Sequence, residues 1–196
     1  MRNLLYLDSE TTGLDSRRHD IIQLACIPVI DGICQSSFNE FAKPNDFSAI
    51  EQEAIAVHGI SIDRMQTFQS QQDMLNKFVK YIKSFNTKFT IAGYNVGFDK
   101  GFISSLFAKH GMSSVYHELF TPDTHDVYRR IKAIKEKANL GSLKLFKACE
   151  MFGIEINAHD ALSDISATIL LDIKVSELLE DNQEHKEHND NIEFSF

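Results

Sequence analysis

Five side chains that could carry out metal-assisted phosphate chemistry occur in three separated clusters of this sequence: Asp8 with Glu10, then Asp99, then His159 with Asp164. The first two clusters follow short apolar stretches, and the third opens a helical pattern. Mg²⁺ and Mn²⁺ prefer carboxylate and water ligands. A neutral histidine, with a reference pKa of about 6.5, can take a proton from an attacking water. This combination indicates a phosphodiesterase in which two divalent ions stabilise the attacking and leaving oxygens.

The spacing within the clusters supports this interpretation. Asp8 and Glu10 are two residues apart on a predicted strand, so their side chains leave the same face. His159 lies five residues before Asp164 at a predicted helix start, where both could reach one pocket. Each feature alone is more often structural, and Asp160 in particular is interpreted as a helix cap. The joint occurrence of all five residues at strand ends and helix starts favours a site. The other histidines, apart from His58, are interpreted as surface or core residues: His19, His110, His117, His125, His185 and His188.

The elements that must position these residues follow from apolar periodicity and turn signals. Strands are predicted at 4–7 and 21–30, and the Asp31-Gly32 hairpin signal predicts an antiparallel return over 33–41. Further strands are predicted at 89–94 and between 118 and 123. Helices are predicted at 48–57, 70–85, 100–110, 126–135, 143–152 and 161–179. A three-stranded meander followed by alternating helices and strands is typical of an α/β fold with a mixed sheet.

Length and composition restrict the class of protein. With 196 residues, 43% of them hydrophobic, the chain is long enough for one domain with a full core. The apolar runs fall short of the roughly 20 residues of a membrane span, and the early acidic residues argue against a leader peptide. The three cysteines form no CxxC pair, which predicts reduced thiols and a cytoplasmic protein. The net charge of −8 argues against a coat for long nucleic acid and is compatible with a nuclease that grips a few nucleotides.

Five motifs together resemble the DEDD exonuclease superfamily in its histidine-containing (DEDDh), DnaQ-like branch. They are DSETTGL at 8–14, AVHGI at 56–60, NVGFD at 95–99, LGSLKLFKACEMFGI at 140–154 and HDALSD at 159–164. The resemblance covers roughly residues 3–178 and implies a ribonuclease H-like fold, a mixed five-stranded sheet flanked by helices. It implies an exonuclease domain over 1–179 followed by an acidic tail, 180–196, whose polar composition predicts disorder.

The resemblance also implies roles for the five residues. Asp8 would bridge two metal ions, Mg²⁺ or Mn²⁺, while Glu10 and Asp164 would complete the first metal site. Asp99 would serve the second ion, largely through water. His159 would act as the general base that activates water, and nucleoside monophosphates would leave from the 3′ end.

Supporting roles in substrate binding are implied as well. In this family the backbone near Thr11 binds the terminal nucleotide, Leu14 wedges against a base, and the position of His58 lines the terminal-nucleotide pocket. Asn95 and Phe98 would help to shape the substrate groove. For His58 an ordinary loop position before Gly59 is the alternative. After the fifth strand, Asp123 or Asp126 would open a helix as a cap or as support for the site. The basic residues of that helix, at 129–137, form either a solvated face or a ridge that contacts phosphates.

Three functions follow. The leading hypothesis is a metal-dependent 3′–5′ exonuclease on single-stranded or frayed DNA ends, in proofreading of the DNA polymerase III epsilon type. An RNA-trimming enzyme of the ribonuclease T or oligoribonuclease type is the alternative, although the Thr11-Thr12 pair favours the DnaQ-like branch over oligoribonuclease. A non-catalytic module that binds a polymerase is the third. The tail end at 190–196 resembles a short peptide that docks on a sliding clamp or polymerase subunit. The alternative is a disordered end whose phenylalanines have no binding role.

Overall fold

A mixed sheet forms the centre of the computed structural model, which describes residues 2–134, 143–156 and 160–190. Its strands are β1 (Leu4–Thr11), β2 (Ile21–Ile30), β3 (Ile33–Cys34), β4 (Phe38–Phe41), β5 (Phe89–Gly93) and β6 (Phe120–Asp126). The sheet order is β3-β2-β1-β5-β6, and β4 also pairs with β2. β1 is antiparallel to β2 and parallel to β5, so the predicted α/β fold with a mixed sheet is confirmed.

The sheet has six strands rather than the five predicted, because the return after the hairpin is interrupted. β3 pairs with β2 at Val29 and β4 pairs with it from Cys26. Two residues of β2, at 27–28, therefore face three residues at 35–37. Pro28 has no N–H to donate to the ladder, and its carbonyl instead accepts a bond from the backbone N of Gln35 at 2.8 Å. This mismatch in length divides the predicted strand 33–41 in two.

Helices cover both faces of the sheet. The described ranges contain α1 (Gln52–His58), α2 (Ile62–Gln66), α3 (Gln71–Lys83), α4 (Gly97–Lys109), α5 (Ser113–Leu119), α6 (Val127–Ile134), α7 (Leu145–Met151) and α8 (Ala161–Asp190). The apolar period of α3 and its Ser70 cap are confirmed, since the Ser70 side chain accepts a bond from the backbone N of Asp73. The short helices α2 and α5, of five and seven residues, were not predicted.

β1 lies in the middle and is packed on both faces. Leu5 and Leu7 belong to one core cluster with Phe78 of α3 and Phe107 of α4. Tyr6, two residues before Asp8, belongs to a second cluster made largely of α6, α7 and α8 residues. Because side chains alternate along a strand, the acidic residues Asp8 and Glu10 share the α8 face with Tyr6.

The end of the chain differs from the prediction. α8 runs to Asp190, so the backbone of 180–190, predicted to be disordered, is helical. Glu, Gln and Lys in this stretch are good helix formers, and a helix that has already started adds one hydrogen bond for each further residue. The domain boundary at 179 stays a prediction. The tip at 191–196 lies outside the described residues. Among the described helices, none is both long and apolar enough to cross a membrane.

Candidate active site

Two of the predicted acidic residues lie inside β1, which continues four residues beyond the predicted strand end at Leu7. Asp8 pairs with Ala25 and Glu10 with Gln23 across the antiparallel ladder. The pairing register shifts between Glu10 and Thr11, and such an irregularity bends the strand and redirects its side chains. The strand therefore presents both carboxylates toward α8, and its pairing with β2 continues in a shifted register at Thr11.

The other two carboxylates come from the first turns of two helices on opposite faces. Asp99 lies in the first turn of α4, with only 4% of its surface exposed. Asp164 lies in the first turn of α8. The structure therefore brings together four of the five predicted catalytic residues. The fifth, His159, lies outside the described residues, and its role as general base stays a prediction.

Ser9, between the two acidic residues of β1, is a site residue that the sequence analysis missed. Its hydroxyl donates a hydrogen bond to Oδ1 of Asp99 at 2.7 Å. Ser9 points away from the face of Asp8 and Glu10, toward α4, because side chains alternate along the strand. This contact fixes Asp99 at the end of the sheet, close to Asp8.

Burial and the proximity of other carboxylates raise pKa values among the acidic residues at this site. Burial, followed by the charges of Asp99, Asp164 and Glu10, raises the pKa of Asp8 well above its usual value. Burial and the charges of Asp164 and Asp99 raise the pKa of Glu10 to about 7. Burial also raises the pKa of Asp99 to about 7, although the Ser9 hydrogen bond opposes the change. Mutual repulsion of this kind is relieved by a bound cation.

These carboxylates fit divalent ions that are also held by water and substrate. Among the described residues, Asp8, Glu10 and Asp99 have no ion pair with a lysine, arginine or histidine. In the same ranges, no group of three or more Asp, Glu, His or Cys side chains is placed so that it could hold a metal ion by itself. Mg²⁺ commonly keeps several waters and uses only one or two carboxylates plus substrate phosphates, so the donor set fits such an ion.

The Glu10 carboxylate should make the metal-free protein less stable at high pH. Its pKa rises from 4.5 to about 7 on folding, so between these values the folded state holds a proton that the unfolded chain has released. The free energy of unfolding therefore falls as pH rises through this window. We expect Glu10→Gln to stabilise the metal-free protein at about pH 8 by about 1–3 kcal/mol, since one pKa unit corresponds to about 1.4 kcal/mol.

Thermal unfolding in EDTA at a slightly acidic and a slightly alkaline pH measures this effect. Glu10→Gln should narrow the difference in Tm between the two conditions. Substitution of the exposed Glu118 by Gln serves as the control and should leave the difference in Tm between the two pH values unchanged. An equal pH dependence in Glu10→Gln and wild type would contradict the argument.

A cavity of about 420 Å³ opens beside Glu10. It is lined by Ser9, Glu10, Thr11, Gly13, Leu14, Glu51, Glu53, Ala54, Val57, His58 and Phe98. The side chain of Leu14 is 80% exposed at this cavity, whereas His58 is 9% exposed. Four of the five predicted substrate-binding residues thus share one cavity. Asn95 lies apart, in a separate hollow with Tyr94 and Tyr128, and adopts a positive φ of 57° before α4.

His58 offers a hydrogen-bond donor at this cavity. Its Nδ1 accepts a bond from the backbone N of Ile60 at 2.9 Å, so the proton of the neutral ring is on Nε2. Nε2 is buried and has no hydrogen-bond partner among the described residues. Burial lowers the pKa of His58, which keeps the ring neutral. A buried N–H without a partner is costly, and a ligand in the cavity could accept its bond.

The loop that carries Leu14 is held rigidly by His19, a second residue that the sequence analysis missed as part of the site. The His19 ring is buried, and its Nε2 lies 3.2 Å from Oε1 of Glu51. A Cβ on Gly13 would come within 2.5 Å of this ring, so only glycine fits there. Nζ of Lys109 donates to the His19 carbonyl at 2.7 Å. The loop is therefore tied to α1 and α4.

The predicted Asp160 cap is confirmed, and of the alternatives Asp123 and Asp126 it is Asp126 that caps α6. The Asp160 side chain accepts a bond from the backbone N of Ser163 at 3.1 Å, at the start of α8. The Asp126 side chain accepts one from the backbone N of Arg129 at 3.2 Å, at the start of α6. The predicted basic ridge is not uniform. Arg129 is exposed, whereas Arg130 turns inward and binds Asp172.

Comparisons with known proteins agree with this geometry. A family model described as Exonuclease (RNase_T) matches residues 5–171. The DNA polymerase III subunit epsilon of Buchnera aphidicola is 34% identical over 113 residues, which are 55% of this chain and 46% of that protein. The PolC-type DNA polymerase III of Halalkalibacterium halodurans is 29% identical over 162 residues, 82% of this chain and 10% of that protein. The chain thus spans less than half the length of these relatives.

Solved structures show the same fold. Escherichia coli exonuclease I in complex with a dT13 oligonucleotide superposes with a TM-score of 0.71 at 20% identity, covering 87% of this chain and 40% of that one. The cell-death related nuclease 4 superposes with a TM-score of 0.67 at 18% identity, covering 87% of this chain and 63% of that one. At these identities the likeness concerns the fold alone.

Proposed function

The chain belongs to the exonuclease family, and from this premise we propose that it removes nucleoside monophosphates from the 3′ ends of single-stranded or frayed DNA with two divalent metal ions. The observation that carries the proposal is the group of partly buried, mutually repelling carboxylates beside a cavity that contains an exposed leucine and a buried histidine donor. The carboxylates suit cations that bind a phosphodiester. The cavity, at about 420 Å³, falls in the range usual for small-molecule sites.

In this mechanism the residues position the reacting phosphate. Asp8, Glu10, Asp99 and Asp164 would hold Mg²⁺ or Mn²⁺, which when bound stabilise the attacking and leaving oxygens. Ser9 keeps one oxygen of Asp99 in place through its hydroxyl. His159 would take the proton of the attacking water. The four carboxylates would thus bind the ions, and the neutral histidine would accept the proton that hydrolysis releases from water.

The cavity would receive the terminal nucleotide. Leu14 projects from its rim and could insert between the last two bases, where apolar contact replaces stacking. The Nε2–H of His58 would donate to an acceptor on the terminal nucleotide, which would give this buried donor a partner. Phe98, packed against Phe102 with ring centroids 4.8 Å apart, provides a fixed apolar wall.

DNA is the substrate that the relatives favour. Exonuclease I is named in complex with a DNA oligonucleotide, and the Buchnera and Halalkalibacterium relatives are DNA polymerase III proteins. We therefore propose a proofreading type of activity and an association with a DNA polymerase subunit or a sliding clamp. RNA trimming is the second candidate, because the distinction between sugars depends on contacts to the 2′ hydroxyl.

A side-by-side assay on matched DNA and RNA oligonucleotides tests the proposal. With Mg²⁺ or Mn²⁺, we expect mononucleotides to be released stepwise from single-stranded DNA and from mismatched 3′ ends, and more slowly from paired 3′ ends. A 5′ label should follow successive shortening, and a 3′ label should appear at once as mononucleotide. Faster release from RNA than from DNA would favour the second candidate. No release from any of these substrates would contradict an exonuclease.

A further inference from the structure

A buried carboxylate outside the catalytic group, Asp172, joins four elements at one point. It is 5% exposed and lies on α8. Its Oδ2 accepts bonds from Oη of Tyr6 at 2.5 Å and from Nε2 of His125 at 2.7 Å. Its Oδ1 is bound by Nη1 of Arg130, whose Nη2 donates to the hydroxyl of Ser176 at 2.9 Å. β1, β6, α6 and α8 therefore meet at Asp172.

The sheet register explains why these side chains converge. Tyr6 pairs with Ala92 of β5, and Ala92 pairs with His125 of β6. The three residues thus form one row across neighbouring strands, with the smallest side chain in the middle. Tyr6 and His125 reach over it, with ring centroids 6.3 Å apart. Asp172 on α8 receives both donors from this row.

The same helix and strand also meet at the catalytic carboxylates. Tyr6 precedes Asp8 by two residues, on the same face of β1. Asp172 follows Asp164 by eight residues, about 12 Å along the helix at about 1.5 Å per residue. α8 therefore contacts β1 twice. One contact is a network of hydrogen bonds, and the other brings Asp164 close to Asp8.

We propose that the network of Tyr6, His125, Arg130 and Asp172, called here the α8 anchor, positions Asp164 against Asp8 and so sets the metal affinity of the site. This inference rests on the proposed function, because it concerns the carboxylates that would hold the ions. Without the anchor, α8 would lose the hydrogen bond that ties it to β1 at Tyr6. With it, the start of α8 keeps a defined position relative to β1 before any ion binds.

The charge state of the anchor suits a permanent contact. Burial alone would raise the pKa of Asp172, but the hydrogen bonds from His125 and Tyr6 and the charges of His125 and Arg130 outweigh burial and lower it. The carboxylate therefore stays ionised at neutral pH. Burial, together with the charge and hydrogen bond of Asp172, raises the pKa of Tyr6, so its hydroxyl remains a donor.

Tyr6→Phe tests the anchor with the smallest change, since it removes one donor and keeps the ring in the core. Thermal unfolding of the full chain is followed during titration with Mn²⁺, without nucleic acid. We expect the Mn²⁺ concentration that gives half of the stabilisation to rise roughly tenfold, the lower end of the usual effect of groups that orient metal ligands. His125→Gln, which alters a second donor to Asp172, should also raise the Mn²⁺ concentration that gives half of the stabilisation.

Tyr116→Phe is the matched control, because it also removes a buried tyrosine hydroxyl, but one with no partner among the described residues and on the α4 side of the sheet. It should leave the Mn²⁺ titration unchanged. Lower Tm values with an unchanged Mn²⁺ midpoint in both anchor variants would show a purely structural network and overturn the inference.

An activity measurement separates this outcome from failure of the proposed function. Wild-type hydrolysis of DNA ends with no midpoint shift in the variants overturns the inference alone. A wild type whose Tm does not respond to Mn²⁺ and that releases no nucleotides overturns the proposed function, and the inference with it. A midpoint shift in a wild type that hydrolyses DNA supports both.

Discussion

Asp8→Ala is expected to lower release of mononucleotides from a 3′-labelled DNA oligonucleotide by about 10³-fold or more. Bound metal ions stabilise the transition state by several kcal/mol, and about 1.4 kcal/mol corresponds to a tenfold change in rate. Asp8 is the residue on which this effect depends most, because its charge interacts with those of Asp99, Asp164 and Glu10 together. Without it, the proposed metal site would lose one of its four carboxylates.

The matched control for Asp8→Ala is Asp160→Ala. Asp160 is also an acidic residue near the carboxylates, but its side chain caps α8. Loss of a cap costs about 1 kcal/mol of stability, and activity at saturating metal should persist. Circular dichroism and Tm distinguish loss of a ligand from unfolding, because removing one of several repelling carboxylates should not destabilise the metal-free protein. Wild-type degradation by Asp8→Ala would show that the two-metal proposal is wrong.

His159→Ala is expected to lower turnover by about 10²–10⁴-fold, the usual range for loss of a general base. The expectation rests on the sequence, where His159 lies five residues before Asp164. Stabilisation of the protein by Mn²⁺ should be retained, because the four carboxylates remain. The measurement is kcat on single-stranded DNA at saturating metal, together with the Mn²⁺ titration of Tm.

The exposed His117→Ala is the control for this substitution and should behave as wild type. If His159→Ala loses the response to Mn²⁺ together with activity, His159 acts on metal binding rather than as a base. If turnover is unchanged, another group accepts the proton.

Local patterns were sufficient to predict most elements of the fold. The apolar face of α3, the Ser70 cap and the Asp31-Gly32 turn are signals within a few residues of one another, and the structure has each of them. The prediction of one continuous strand over 33–41 was wrong. The pairing is interrupted opposite Pro28, a residue of the facing strand that the local pattern of 33–41 does not reveal. The helical backbone at 180–190 was missed because polar residues with good helix propensity show no apolar period.

The sequence offered the four carboxylates as candidate metal ligands because the chemistry of these residue types alone suggests that role. Carboxylates at strand ends and helix starts indicated metal chemistry, and the structure brings the four together. Ser9, His19 and Asp172 were not predictable in the same way. Their partners lie far away in sequence, such as Asp99 for Ser9 and Tyr6 for Asp172. Serine, histidine and aspartate at such positions look like ordinary surface or core residues until the topology places them together.

The tethered loop around Gly13 has a consequence for how a strand end is selected. Leu14 projects from a backbone that contacts of His19 with Glu51 and Lys109 hold in place, so this loop would lose little backbone entropy on binding a strand end. If Leu14 has the role proposed above, a closed base pair would have to open by its own thermal fluctuation before the leucine enters. Discrimination between paired and unpaired ends would thus be a property of the DNA terminus. The rate of hydrolysis would follow how often that terminus frays.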